Sequence, residues 1–212
     1  IHRSASNAVI SSDATFKEKV EQKALDISKD IESIDAIDKR LGGILKTTEK
    51  WNAIKTKWHD LRSKIYDRTL QENFKIHTSL IEEILSLVSH ISDISNLTLD
   101  PVLDSYYLMD IAIVKLPPTL EYTEQSRTLG TGVLVKKSMT PYEKLKLCLL
   151  YVTIKSAIDS VNKGIQVAFN YNPDIKPKLE GAVKDYIAKA NSFLEVLDKR
   201  IINASVIDMD SK

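Results

Sequence analysis

The sequence predicts an all-α protein, an elongated up-and-down bundle of about six helices built as two stacked four-helix modules. Three observations carry that expectation. Apolar residues recur at three-four spacing along most of the 212 residues, which is the period of an amphipathic helix. No sustained alternation of apolar and polar residues marks a strand. Two capping boxes, Thr69 with Glu72 and Thr140-Pro141 with Glu143, place helix starts, because each hydroxyl and carboxylate satisfies the other end's free N–H.

The elements follow in order. Residues 2–10 read as helical and end at the Ser11-Ser12-Asp13 break. Val20, Ala24, Ile27, Ile31, Ile34, Leu41 and Leu45 then form one stripe, with Asp38 as its polar intruder and Gly42-Gly43 weakening its end. Trp51, Ile54, Trp58, Leu61 and Ile65 form the second. The third carries Leu70, Phe74, His77, Ile81, Ile84, Val88 and Ile91, interrupted by His77. Asp100-Pro101 signals the start of a fourth helix over about 101–136, which Pro117-Pro118 should bend. Leu147, Tyr151, Ile154, Ile158, Val161, Ile165 and Ala168 hold one face of the fifth until Asn172-Pro173. The last shows Leu179, Val183, Tyr186, Ala190, Phe193, Leu197, Ile201 and Ala204. Helices of about 31 residues extend ~47 Å, more than one compact four-helix module needs, which suggests two modules end to end. Short connections make successive helices antiparallel.

Composition removes several function classes. A net charge of +1, with both signs interleaved along the helices, gives no basic field for nucleic acid. Cys148 has no intrachain partner. No segment reaches the roughly 18 consecutive apolar residues of a membrane span. The chain begins at Ile1 and both ends fall within helical patterns, so we expect residues 1–212 to be a fragment of a longer protein. The histidines lack metal-ligand spacing, Glu-x-x-His is missing, and the scattered glycines make no phosphate loop. No enzyme, cofactor or metal is expected.

The stretch SNLTLDPVLDSYYLMD at 95–110, the Leu116-Pro117 pair and SRTLGTG at 126–132 resemble the all-helical extracytoplasmic sensor regions of bacterial transmembrane receptors. That family includes methyl-accepting chemotaxis proteins, sensor histidine kinases and some diguanylate cyclases. His2-Arg3-Ser4 is similar to the family's His-Arg-Gly element, with Ser4 in place of Gly. Trp51, Trp58 and Phe74-x-x-His77 match its middle. The resemblance covers roughly residues 1–135. It implies a periplasmic sensor domain of an inner-membrane protein, flanked by two membrane helices, homodimeric in the full receptor. Its partner would be a small-molecule ligand or a periplasmic binding protein.

Candidate ligand contacts follow from polar residues on inward stripes. Stepping from Leu103 by three and four puts Asp110, Glu124 and Arg127 on the seam of the fourth helix, and Arg127 suits a small anion through its planar fork. The plainer reading pairs Arg127 with Glu124, three residues away. Arg3 beside His2 makes a second cationic element. His77 is either a ligand contact or a core histidine bonded to a carbonyl or hydroxyl. Tyr106 and Tyr107 offer rings for packing and hydroxyls for a ligand. Asp38 could pair with a cation across the bundle. The alternative class is a structural or adaptor bundle, which would expose an apolar stripe to a protein partner.

Overall fold

A computed structural model describes residues 1–11 and 13–209, and among these every regular element is helical. Ser12 of the expected break lies outside the described residues. The all-α expectation holds. The chain divides into two compact units, Ile1–Leu97 and Thr98–Lys212.

The first unit holds four helices: α1 (His2–Ile10), α2 (Lys17–Leu45), α3 (Thr48–Ser63) and α4 (Leu70–Ile94). Its core is centred on α3, where Trp51, Ile54, Trp58 and Leu61 are all buried, with Ile65 just beyond. Val20 and Ala24 of α2, Ala5 of α1 and Leu80 and Leu87 of α4 close around them. The α2–α3 turn is set by polar contacts. Lys46 adopts a left-handed backbone at φ 54°, and the His90 imidazole donates to the carbonyls of Leu45 and Lys46 at 3.0 and 3.1 Å, satisfying groups the helix end leaves open. Thr47 Oγ1 donates to Asp38 Oδ1 at 2.6 Å. Asp38 therefore holds this turn, a correction to the cation pairing expected from its place on the stripe. Both capping boxes form as expected, at Thr69–Glu72 and Thr140–Glu143.

Among its described residues, the second unit runs in three helical passes. The first pass joins α5 (Leu103–Met109), a π-helical segment (Asp110–Lys115) and α6 (Leu116–Lys136). The others are α7 (Pro141–Tyr171) and α8 (Lys176–Val196), the latter continuing into a second π-helical segment, Leu197–Ile202. Asp100 accepts from the Val102 N–H at 2.9 Å, and the helix starts two residues later than the Asp-Pro signal suggests. A π-helical turn falls just before Pro117-Pro118, where the sequence suggests a bend. Two prolines in succession remove two N–H donors and crowd the carbonyls one turn back, and a wider turn relieves the crowding.

The inward face of this first pass also differs from much of the expected stripe. Leu103 and Tyr106 of α5 and Leu120 and Arg127 of α6 are exposed, whereas Thr119, Glu121, Ser126, Gly130, Val133 and the expected Leu134 are buried. This seam consists largely of small and hydroxylated residues that let helices approach closely. Thr119, Thr123 and Ser126 return their hydroxyls to carbonyls three or four residues back, which removes the cost of burying them. Because the buried face between Thr119 and Gly130 is not the apolar one, counting apolar spacing selects the wrong face until Val133 and Leu134.

Candidate functional site

The first unit buries a continuous polar cluster between α1 and α4. His2 Nδ1 lies 2.9 Å from His77 Nε2, and His77 Nδ1 lies 2.8 Å from the Asn73 carbonyl oxygen. Arg3, 4% exposed, donates from Nη1 to Thr78 Oγ1 at 2.9 Å and lays its guanidinium over the Phe74 ring at 4.8 Å. Asn73 Nδ2 donates to Ser6 Oγ and to Asn7 Oδ1 at 2.9 and 2.7 Å, and Ser6 donates onward to the Arg3 carbonyl at 3.0 Å. The His2 ring meets Trp58 edge-on, with centroids 5.0 Å apart.

The helical period explains the convergence. Asn73 and His77 are one turn apart on α4, and His2, Arg3 and Ser6 fall within the first turn and a half of α1. Burial governs the electrostatics. His77 is pushed down to about 3, chiefly by burial and then by nearby His2 and Arg3 against the opposing bond from Asn73. His2 is held at about 4, again chiefly by burial, with the charge of the N-terminus and then that of Arg62 adding to it. Both imidazoles are neutral at pH 7.

A cleft of about 330 Å³ opens beside this cluster, lined by His2, Val20, Glu21, Ala24, Arg62, Ser63, Ile65, Tyr66 and Asp67. Arg62 reaches toward Glu21 at 4.0 Å. His2 thus belongs both to the buried cluster and to the cleft wall, and the volume falls at the small end of ligand pockets, roughly 300–1,000 Å³.

Of the residues marked in the sequence, Arg3 and His77 come together here. Tyr106, Tyr107, Asp110 and Arg127 belong to the second unit. Tyr107 packs toward Gly164 of α7, where an added Cβ would stand 3.0 Å from the ring, and Tyr106 meets Tyr107 edge-on at 5.4 Å while staying on the rim. Asp110 pairs with Lys115 inside the π segment. Arg127 is exposed and pairs with Glu124 at 2.6 Å, a correction to its expected place on the inward seam. The plainer readings given above for His77 and for the Glu124–Arg127 pair are both realised as contacts. Asn73, Ser6, Thr78 and Trp58 complete the cluster without having been marked as polar contacts; the only sequence sign of Asn73 is its four-residue offset from His77. No cluster of metal-ligating side chains occurs among the described residues. Among the described residues, no helix is long and apolar enough to cross a membrane.

Compared with known proteins, the chain matches no family model, no curated protein and no solved structure.

Proposed function

We propose that this chain is the extracytoplasmic ligand-sensing domain of a bacterial transmembrane signalling receptor, of the methyl-accepting chemotaxis type. The supporting observation is the coupling of a small cleft to a buried polar contact between two helices far apart in sequence: His2 lines the first and bonds His77 in the second. A ligand that prefers one packing of α1 against α4 shifts the population toward that packing, which is all a receptor needs to report occupancy. The similarity of residues 95–110 and of His2-Arg3 to such sensor regions supports the same reading. The receptor would be homodimeric, span the inner membrane through flanking helices and display this domain in the periplasm.

The parent gene tests the proposal. Apolar spans of membrane length on both sides, followed by a signalling module, are expected; a parent protein without them overturns it.

A second reading has its own observation. Ile34, Ile37, Leu41 and Ile44 of α2 are exposed at 40, 47, 39 and 72%, and their spacing is that of a coiled-coil seam. In an adaptor this stripe would receive a helix of another protein, whereas in the receptor it would face a second copy. Sedimentation of the chain against its Ile37→Lys variant separates them: self-association lost in the variant favours the receptor dimer, and a monomer in both cases favours the adaptor.

A further inference from the structure

The hydrogen bonds fix which nitrogens carry protons, and this identifies the ligand chemistry of the cleft. The Asn73 carbonyl only accepts, so His77 Nδ1 carries the hydrogen of their 2.8 Å contact. His77 is neutral, and its Nε2 therefore offers a lone pair. His2 Nδ1, 2.9 Å away, must be the N–H that meets it. His2 is neutral as well, which leaves Nε2 as a bare acceptor on the side of the ring away from His77. That atom is buried without a partner, in a side chain 7% exposed that lines the cleft. A buried acceptor left unpaired costs about 1–3 kcal/mol, and a group that donates to it recovers much of that.

The rest of the lining adds a sign. Two carboxylates, Glu21 and Asp67, outnumber the one guanidinium, Arg62, in the lining, while the chain's N-terminus adds a positive charge near His2. A carboxylate ligand has no proton to give at neutral pH, and its lone pairs would meet those of His2 and of both acids. An ammonium group donates three hydrogens and carries the complementary charge.

We propose that the cleft beside His2 binds small organic ammonium compounds, with one ammonium N–H donated to His2 Nε2 and the charge balanced by Glu21 and Asp67. This names the ligand class of the sensing site and rests on the sensing proposal for its biological role, while its chemistry stands on the tautomer chain and on the charges that line the cleft.

The test follows the imidazole nitrogens of the ¹⁵N-histidine-labelled chain by NMR at pH 7.5, titrated with methylammonium chloride and, in parallel, with sodium acetate at equal ionic strength. Both His2 and His77 should report the Nδ1–H tautomer before addition. Methylammonium should then shift His2 Nε2 saturably while His59 stays still, and acetate should not. Because Glu21 is exposed, Glu21→Gln should fold normally and weaken methylammonium binding about threefold, as loss of one partly solvated ionic contact does. An Nε2–H tautomer at His2, an equal response to acetate, no saturable response because only a resident water fills the site, or unchanged affinity in Glu21→Gln would each overturn the proposal. Failure of amine binding leaves the receptor proposal to its own test on the parent gene, and a parent gene without membrane spans leaves an amine-binding bundle.

Discussion

The imidazole pair of the first unit and the carboxylate–guanidinium pair of the second are both polar contacts made by helices, yet different physics governs them. His2 and His77 are 7 and 5% exposed, so each has lost its water and must find partners in the protein. Their protonation is set by that loss. Glu124 and Arg127 keep side chains 33 and 45% exposed, solvent screens their attraction, and either can let go at little cost. A buried polar pair is thus expensive to alter and is coupled to helix packing, whereas an exposed charged pair is cheap and local.

The largest effect belongs to the wall against which the imidazoles pack. Trp58→Ala removes a side chain 5% exposed that meets His2 edge-on, and should destabilise the chain by about 3–5 kcal/mol in denaturant unfolding. Trp58→Phe keeps most of the apolar area and removes an indole N–H that is buried without a partner, so it should cost about half as much or less. Equal losses in the two variants would show that the indole N–H, and not the ring volume, holds the site.

Acidification comes next. The folded chain keeps His2 and His77 at about 4 and about 3, below the ordinary histidine value of about 6.5. Between those values the unfolded chain binds protons that the folded chain refuses. Stability is therefore complete above about pH 6.5 and falls as the pH drops toward 3, by on the order of a few kcal/mol. Glu143, held at about 2 by Lys136 and the Thr140 cap, adds a loss only below about pH 4.5. The window between pH 6.5 and 4.5 belongs to the histidines. A melting temperature that is flat across that window would show that the pair is hydrated and not held neutral.

Glycines give the intermediate effect and contrast crowded with open helix surface. At Gly164 an added Cβ would stand 3.0 Å from the Tyr107 ring, and at Gly181 it would meet nothing within 4 Å. Gly164→Ala should destabilise by about 1 kcal/mol despite the better helix propensity of Ala, and Gly181→Ala should stabilise by about 0.5–1 kcal/mol. Opposite signs in paired thermal melts support close approach of α5 and α7, and equal stabilisation refutes it.

The same contrast explains what could be read from the sequence. Trp51, Ile54, Trp58, Leu61 and Ile65, and the stripe from Leu147 to Ala168, show their burial directly because large apolar residues face inward at regular spacing. His77 stands out for the converse reason, as a polar residue on such a stripe. The face of α6 is hidden, since Thr119, Thr123, Ser126 and Gly130 pack through small size and return their hydroxyls to the backbone, which leaves no apolar signal. The pairing of His2 with His77 links residues 75 apart in sequence, and no local spacing encodes it. The cleft is likewise a product of packing, assembled from the start of α1, from α2 and from the end of α3 and the turn beyond it.

The smallest effect is expected at Arg127. Arg127→Ala removes one member of a half-exposed i,i+3 pair and should change stability by less than about 0.5 kcal/mol with helix content unaltered. Its value lies in a second reading of the same variant. If Arg127 contacts an anion in the second unit, calorimetric titration with acetate should show weaker binding in Arg127→Ala, since a guanidinium fork supplies two parallel bonds that Ala cannot replace. Unchanged affinity removes Arg127 from the site and leaves the pair as a solvated helix contact. Methylammonium binding should be the same in both proteins, because the cleft beside His2 is lined by other residues. A variant that weakens acetate but spares methylammonium would establish two ligand chemistries in one chain, one for each unit. A variant that weakens both would instead mean that the exposed pair and the buried pair are energetically coupled, which contradicts the independence that their different burial predicts.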